Sequence, residues 1–137
     1  MDTSPYPIDH VAIAVRSIAD AMPLYEGLAK SRGSDIEHVE SQAVNVAFVG
    51  AAPARLELLE PTSPDSGVAR FLERRGPGLH HIAYRVPDVA AALADCIARG
   101  MQPIDREPRA GAGGHRIAFL HPKDTGGVLV ELVEGSG

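Results

Sequence analysis

Residues Gly78–Val86 read Gly-Leu-His-His-Ile-Ala-Tyr-Arg-Val, and they have a near-copy at Ile8–Val15, which reads Ile-Asp-His-Val-Ala-Ile-Ala-Val. When the two stretches are aligned, His81 falls on His10, which lies half a chain length earlier. Both stretches alternate apolar and small or polar residues, a pattern typical of a half-buried β-strand. The repeat therefore predicts two equivalent strands, each carrying one histidine at the same position.

A second repeated pair of stretches follows the first. Leu56–Glu60 and Val130–Glu134 share the pattern of an apolar residue, Glu, two apolar residues and Glu, which places Glu57 and Glu131 at nearly the same separation as the two histidines. The chain thus reads as one motif written twice, in which each copy opens with a histidine strand and closes with a glutamate strand. We expect the rest of the protein to position these two His and two Glu residues.

Composition limits the class of protein. The chain has 137 residues, 45% hydrophobic residues, a formal net charge of −5 and one cysteine. This length favours a single domain, and the absence of a basic run gives no indication of a nucleic-acid partner. One cysteine excludes an internal disulfide. Without a signal peptide or an apolar run of about 18 residues, we expect a soluble cytoplasmic protein with no membrane partner.

The repeat also predicts the architecture. Each half reads strand, helix, strand, strand, strand, so the fold class is expected to be α+β, with two tandem βαβββ modules. Module one spans about residues 8–60, a linker with a short helix spans 61–78, and module two spans about 79–134. The predicted modules form a curved mixed sheet around a metal-containing cleft, within a single domain of residues 1–137.

Individual elements follow from local signals. Ser17 and Asp88, which occupy the same position in the two copies of the repeat, are the predicted N-caps of the two module helices. Pro23 predicts a bent or late-starting first helix, because proline inside a helix costs about 3 kcal/mol. Gly67–Arg75 is predicted to be a short amphipathic helix in the linker, and Gln102–Arg109 is predicted to be a strand.

The two glutamates are the strongest functional signal. Glu57 and Glu131 lie in apolar strands, where a buried carboxylate costs several kcal/mol unless it is paired or bound to a metal. Together with His10 and His81 they offer four nitrogen and oxygen ligands without a thiolate, which suits Zn, Co, Mn, Ni or Fe. The alternative to a metal site is that both histidines belong to the hydrophobic core and the glutamates lie at a solvent-exposed edge of the sheet. The recurrence in both halves favours the metal site.

The paired His and Glu strands resemble the vicinal oxygen chelate superfamily of metalloenzymes (glyoxalase, bleomycin resistance protein, dioxygenase). Within it, the chain resembles the methylmalonyl-CoA epimerase family. Several stretches spread over nearly the whole chain carry this resemblance: Ile8–Val15, Val46–Val49, Leu56–Pro61, Ser63–Asp65, Gly78–Ala83, Gly111–Gly114, Ala118–Lys123 and Gly126–Leu132. The Gly-Leu-His-His-Ile-Ala and Phe-Leu-His-Pro-Lys stretches are fairly specific to that family.

The resemblance implies the site and its cofactor. His10, His81 and Glu131 are implied as metal ligands, and Glu57 stands where relatives carry Gln or Glu. The implied cofactor is one divalent metal ion, Co, Zn, Mn, Ni or Mg. The resemblance further implies methylmalonyl-CoA as the substrate, a role in propionate metabolism and a homodimer.

The implied reaction interconverts (R)- and (S)-methylmalonyl-CoA through an enolate formed by removal of the C2 proton. Such a reaction needs proton donors and acceptors on both faces of C2. Glu131 is the expected group on one face. The second is left open between Glu57 and a metal-bound water, because the Ala43–Val49 strand offers Asn45 and no acid.

Further residues are weaker candidates. Arg109, Arg116 and Lys123 flank a glycine-rich loop and the His-Pro-Lys turn, and they are candidate substrate-binding residues for the CoA phosphates, although each is also compatible with an ordinary solvated charge. His80 is expected to point to the face opposite His81, because neighbouring residues of a strand alternate.

Two other functions share parts of this pattern. A glyoxalase-I-like metal-dependent lyase would use the same ligand positions. A non-catalytic, resistance-type binding protein would hold a small molecule on the same scaffold, but such proteins usually lack the metal ligands. A structural module without a site predicts that removing either buried glutamate leaves stability unchanged or raises it.

Overall fold

The computed structural model describes residues 5–52 and 54–135. The strands and helices, in chain order, are β1 (Ile8–Ala14), α1 (Ile18–Ala29), β2 (Glu37–Val39), β3 (Val44–Val49), β4 (Arg55–Pro61), α2 (Gly67–Arg75), β5 (Gly78–Val86), α3 (Val89–Ala98), β6 (Arg109–Ala110), β7 (Arg116–Leu120) and β8 (Val130–Glu134). The order is a βαβββ unit, one linking helix and a second βαβββ unit. The predicted α+β class with two repeated modules is confirmed.

All eight strands form one mixed sheet in the order β2-β3-β4-β1-β5-β8-β7-β6. The histidine strands β1 and β5 pair antiparallel at its centre and join the modules. Each also pairs in parallel with the glutamate strand of its own module, β1 with β4 and β5 with β8. The four strands that carry the repeated His and Glu residues are therefore adjacent.

The sheet curls until its two edges meet. Gly113, just after β6, donates its N–H to the carboxylate of Glu37 on β2, at 2.8 and 3.0 Å. Ser41, just after β2, donates its hydroxyl to the Ala110 carbonyl at 2.6 Å. Arg109 donates back to the Ser41 carbonyl at 2.6 Å. These contacts between the modules close the sheet around an interior concave face.

Helices α1 and α3 cover the outer face, one on each module. The hydroxyl of Ser17 accepts the Asp20 N–H at 3.2 Å, and the carboxylate of Asp88 accepts the Ala91 N–H at 3.1 Å, so both predicted N-caps are confirmed. Each helix buries its apolar stripe against its own module, in clusters containing Ile18 and Met22 or Val89, Ala92 and Leu93. Burying each of the larger side chains stabilises the fold by about 1.5–3 kcal/mol.

The second glutamate of each repeated stretch anchors a helix. The carboxylate of Glu60 accepts the Ile18 N–H at 2.7 Å, and that of Glu134 accepts the Val89 N–H at 3.1 Å. The first N–H groups of a helix lack intrahelical partners and carry partial positive charge, so a carboxylate there is stabilising. The repeat in the glutamate strands therefore has two roles, because its inner and outer glutamates point to different environments.

Helix α2 packs on the concave face of module one. Its buried residues Val68 and Leu72 contact the small side chains of Ala12 and Ala14 on β1, together with Val46 on β3. The face of alanines beside His10 therefore accommodates a helix. The corresponding cluster of module two consists of Ala83, Ile117, Phe119 and Val133 with Leu129, none of which belongs to a helix.

Two local predictions were wrong: a late start of α1 and a strand over the whole of Gln102–Arg109. Helix α1 begins directly after Ser17 and runs through Pro23 to Ala29, where Lys30 ends it in a left-handed conformation with φ of 51°. The helix begins at Ile18 because Ser17 caps its first turn and the Glu60 carboxylate accepts its first N–H. The buried side chains of Ile18 and Met22 also hold this first part of the helix against the sheet. A proline therefore removes one hydrogen bond from a helix that its packing maintains.

The predicted strand over Gln102–Arg109 is reduced to β6, Arg109–Ala110. Pro103 and Pro108 lack the N–H that a strand ladder needs. In their place, Ile104 donates its N–H to the Phe119 carbonyl at 2.9 Å, and the carboxylate of Asp105 accepts the Phe119 N–H at 2.9 Å. This segment thus follows β7 through side-chain and single backbone contacts.

No helix in the described ranges is long and apolar enough to cross a membrane.

Candidate metal centre

Four buried polar side chains meet where the central strands run side by side. They come from β1, β4, β5 and β8, and each is 3–4% exposed: His10, Glu57, His81 and Glu131. The strand register explains how they converge, because an alanine lies between one carboxylate and one imidazole on its two neighbouring strands, in the order Glu57, Ala12, His81 and again His10, Ala83, Glu131. The alanines leave the longer side chains room to meet above the sheet.

The distances define a compact triad with one further carboxylate. Glu131 Oε1 lies 3.0 Å from His10 Nε2 and 3.2 Å from His81 Nε2. Glu57 Oε1 lies 3.4 Å from His10 Nε2 and 3.7 Å from His81 Nε2. The triad of His10, His81 and Glu131 presents ligand atoms that all lie within 4.8 Å of one another. Glu57 lies at its edge.

The facing atoms of the triad are not hydrogen-bonded to one another. His10 Nε2, His81 Nε2 and Glu131 Oε1 are all buried without a partner of acceptable geometry, although they lie close together. The three atoms therefore lie close enough together for one ion to contact all of them. A buried polar atom left without a partner costs about 1–3 kcal/mol. A cation at that point would satisfy all three, and a set of imidazole and carboxylate ligands suits a divalent transition metal.

The electrostatics of the cluster favour positive charge. Burial by itself lowers the pKa of His10, but its hydrogen bond to Asp9 and the nearby carboxylates of Glu131 and Glu57 raise that pKa to about 11. Burial likewise raises the pKa of Glu131, yet its contacts with His10 and His81 lower that pKa to about 2. The three carboxylates thus create a strongly negative potential around the imidazoles.

Two β-bulges place a partner behind each imidazole. The pairing of β1 with β5 is irregular at two points, which leave Asp9 on β1 and His80 on β5 as extra residues. A bulge redirects the side chain of its extra residue. Asp9 Oδ2 lies 2.7 Å from His10 Nδ1, and His80 Nδ1 lies 2.8 Å from His81 Nδ1. The two partners are equivalent in the repeat and fix the orientation of the rings they contact.

The structure corrects the expectation for His80. Its ring lies beside that of His81 with the centroids 5.1 Å apart, and it also contacts the ring of Phe71 on α2 at 5.1 Å. Burial and the neighbouring His81 lower the pKa of His80 to about 4, so its imidazole is neutral. Strict alternation had predicted the opposite face, because the bulge that reverses it leaves no clear sequence signal.

A cavity of about 1050 Å³ opens beside His80 and His81. This volume slightly exceeds the range of about 300–1,000 Å³ that is typical of ligand pockets. Arg109 and Phe119 of module two line the cavity, as do three arginines of α2, Arg70, Arg74 and Arg75. The metal-ligand candidates meet this space through His81.

The three cationic candidates differ in position. Arg109 lines the cavity, with its guanidinium 5.6 Å from the centre of the Phe119 ring and its Nε 3.2 Å from Asp105 Oδ1. Arg116 lies 3.8 Å from a Glu134 oxygen, and Lys123 donates to the Gln102 side chain at 2.7 Å; neither lines the cavity. The three α2 arginines were not among the candidate residues predicted from the sequence, although the sequence shows that the polar side of this amphipathic helix is basic.

Strand β3 offers no acid to the cluster, as its sequence predicted. Asn45 points away from the concave face and contacts His38, with Oδ1 3.2 Å from Nδ1. The neighbours on either side turn inward, because Val44 and Val46 join the cluster around α2. The Phe48 ring packs edge-on against His10, with the centroids 5.7 Å apart.

Comparisons with known proteins agree with this arrangement. Residues 9–119 match the Glyoxalase/Bleomycin resistance protein/Dioxygenase superfamily. The Bacillus subtilis (strain 168) protein YqjC is 48% identical over 130 residues, which cover 95% of this chain and 93% of that protein. The mitochondrial methylmalonyl-CoA epimerase of Homo sapiens is 37% identical over 126 residues, which cover 91% of this chain and 72% of the human protein.

A solved structure resembles the whole fold. It is a methylmalonyl-CoA epimerase in complex with methylmalonyl-CoA and NH4+, and it is 38% identical to this chain with a TM-score of 0.90. The match covers 98% of this chain and 97% of that one.

Proposed function

The chain belongs to the methylmalonyl-CoA epimerase family of the Glyoxalase/Bleomycin resistance protein/Dioxygenase superfamily, and from this premise we propose that it interconverts (R)- and (S)-methylmalonyl-CoA. The observation that carries the proposal is the buried cluster of His10, His81, Glu57 and Glu131 beside a large cavity. This cluster combines convergent ligand atoms without partners and two carboxylates able to accept a proton.

The two carboxylates suit a reaction that works on both faces of one carbon. Glu57 lies on β4 and Glu131 on β8, so they reach the imidazole pair from opposite sides of the central β1 and β5 strands. In the proposed reaction one carboxylate removes the C2 proton, and the other, already protonated, delivers its proton to the opposite face. The configuration at C2 is then inverted without a net change of atoms.

His10, His81 and Glu131 are the proposed ligands of one divalent ion, Co, Zn, Mn, Ni or Mg, with Glu57 as a fourth. When bound, this ion supplies the positive charge that stabilises the enolate formed by loss of the C2 proton. The chain itself orients the two imidazoles through Asp9 and His80 and excludes water from the cluster by burial.

A glyoxalase-I-like lyase is the second candidate, and one observation favours it. Because β3 presents Val44, Val46 and Phe48 to the interior, Glu57 is the carboxylate available beside Glu131. If Glu57 served only as an ion ligand, Glu131 alone would remain to transfer a proton. A single base suffices to move a proton between neighbouring carbons of a hemithioacetal, whereas epimerisation needs groups on two faces.

The test is NMR of methylmalonyl-CoA in deuterated water with the metal-loaded protein. We expect the C2 proton signal to be lost by exchange. A chelator should stop this exchange, and adding back a divalent ion should restore the exchange. No exchange with any divalent ion would contradict the epimerase. Turnover of a hemithioacetal without exchange at C2 would identify the lyase, and tight binding of a small molecule without turnover of either substrate would identify the resistance-type binding protein.

Homodimer formation and cytoplasmic localisation remain predictions, the first from the family resemblance and the second from the sequence. Size-exclusion chromatography with light scattering measures the first, because a dimer of this 14.4 kDa chain doubles the mass. Cell fractionation measures the second.

A further inference from the structure

Three arginines of α2 share one wall of the cavity: Arg70, Arg74 and Arg75. All three are exposed, and in the described part of the chain no carboxylate lies within 4.0 Å of their guanidinium groups. Every other arginine that approaches the cavity is engaged, because Arg109 contacts Asp105 and the Ser41 carbonyl. The α2 arginines therefore form a cationic surface with no ion pair in the described part of the chain, while Asp65 contributes one carboxylate to the same cavity.

The packing of α2 holds this surface in place. Val68 and Leu72 are buried against module one, and the adjoining side of the helix, with Phe71 and the three arginines, lines the cavity. Arg70 and Arg74 are four residues apart, so they lie one above the other on the same helical face. The Arg75 guanidinium lies 5.6 Å from the centre of the Phe71 ring, which also lines the cavity.

Arg70 and Arg74 repel each other at this spacing, although the C-terminal end of α2 stabilises Arg74 and Arg75 in its last turn. The chain as a whole has a net charge of −5, so the three arginines stand out against an acidic background. Guanidinium groups are well matched to phosphate oxygens, with which they form paired hydrogen bonds. A ligand carrying several phosphate charges would offset the repulsion and supply acceptors for these donors.

The cavity also connects this surface to the cluster. His81 contacts His80, His80 contacts Phe71, and Arg74 and Arg75 lie about one helical turn beyond Phe71. Three exposed apolar side chains line the same cavity: Leu79, Ile104 and Val128, at 71%, 51% and 47% exposure. The cavity thus offers a cationic end, an apolar rim and an imidazole end.

We propose that Arg70, Arg74 and Arg75 form the subsite for the phosphates of the nucleotide end of an acyl-CoA, with the pantetheine arm along the apolar rim. The proposal rests on the proposed function, because it assumes that the acyl group reaches the imidazole pair. It assigns the phosphates to α2 in place of Arg116 and Lys123, which lie outside the cavity.

Two measurements test the subsite. The first is calorimetric titration of adenosine 3′,5′-bisphosphate into metal-loaded protein. We expect saturable binding to the unaltered protein and to the control Arg99→Ala, which removes an exposed arginine outside the cavity. Binding to Arg74→Ala/Arg75→Ala is expected to be at least tenfold weaker. Equal binding to all three proteins, or none to the unaltered protein, would overturn the subsite.

The second measurement compares KM for methylmalonyl-CoA and for methylmalonyl-pantetheine, which lacks the nucleotide phosphates. The double variant is expected to raise KM for the CoA substrate about tenfold and to leave KM for the short substrate unchanged. Equal effects on both substrates would contradict the subsite. If the nucleotide binds through the arginines but no C2 exchange occurs, the subsite is supported and the epimerase activity is contradicted. If C2 exchange occurs but the double variant binds the nucleotide as well as the unaltered protein does, the epimerase activity is supported and the subsite is contradicted.

Discussion

Helix α2 covers the concave face of module one, whereas the equivalent face of module two borders the cavity. On the first face, Val68 and Leu72 pack against β1, β3 and β4; on the second, Phe119 lies beside His81 and faces open space. The repeated sequence therefore supplies the four converging side chains, while the unrepeated linker determines the side from which a ligand can approach them. Duplication alone would have closed or opened both faces alike.

The modules also differ behind their histidines. A carboxylate, Asp9, supports His10, whereas a neutral imidazole, His80, supports His81. A charged acceptor increases the basicity of an imidazole ligand more than a neutral one does. The pseudo-symmetric pair is thus expected to contain one stronger and one weaker ligand, and the following predictions test how far the two modules are equivalent.

The glutamates should show the largest difference. Glu131→Gln is expected to lower the rate of C2 exchange by at least about 10³-fold, because this side chain contacts both imidazoles most closely. Glu57→Gln is expected to cost about 10–100-fold, since Glu57 lies farther from both imidazoles. Exchange rates and metal content per chain measure both effects. Equal losses would show that the modules contribute equivalent carboxylates.

Shortening a buried side chain of α2 tests whether the stability of module one depends on the helix that covers it. Leu72→Ala is expected to lower the free energy of unfolding by about 2–4 kcal/mol, because Leu72 is 5% exposed in the cluster with Ala12 and Val46. Leu24→Ala, at a position 61% exposed on α1, is the control and should change stability by less than about 0.5 kcal/mol. Urea denaturation measures both; a small effect of Leu72→Ala would mean that α2 docks only loosely.

Support of the histidines can be compared directly through metal affinity. Asp9→Asn is expected to weaken binding of a divalent ion by about 10–100-fold, because it removes the charged partner of His10. His80→Gln is expected to have a smaller effect, under about tenfold, since it replaces a neutral partner of His81. Competition with a chromophoric chelator gives both affinities. A greater loss for His80→Gln would reverse the proposed order of ligand strength.

Glu60 and Glu134, which accept the first N–H groups of α1 and α3, should differ least in their effect on stability. Glu60→Ala is expected to cost about 1–2 kcal/mol of stability, because Glu60 accepts the first N–H of α1 at 2.7 Å. Glu134→Ala is expected to cost about 0.5–1 kcal/mol, because its contact with Val89 is longer, at 3.1 Å. Thermal unfolding with matched Glu→Gln variants separates the charge from the hydrogen bond. Identical losses would make the anchors true equivalents.

The repeat made the centre of the molecule predictable. Because strand residues alternate with a period of two, the positions of His10 and His81 in matching strands determine the face they share, and the glutamate strands follow by the same rule. The convergence of these residues, the two N-caps and the linker helix were therefore accessible from sequence. What was not accessible depends on irregular backbone or on docking between distant segments.

His80 and the arginines illustrate these limits. A one-residue bulge reverses the alternation locally, and no composition marks it in β5, so His80 was placed on the wrong face. The orientation of Arg70 and Arg74 depends on which side of α2 packs against module one, a tertiary property. The segment before β6 was predicted as a strand, but its prolines allow only isolated contacts with β7.

The antiparallel seam between β1 and β5 has a consequence for the order of folding. Each module contributes one imidazole and one carboxylate, and His10 and His81 are separated by half of the chain. Contacts of such long sequence separation form slowly, because the chain must first lose the entropy of closing a large loop. Hairpins such as β3–β4 and β7–β8 can form early within each half, but the ligand set is assembled only when the seam closes. Retention of a divalent ion would therefore report completion of folding, and a half-folded chain would carry no reactive centre.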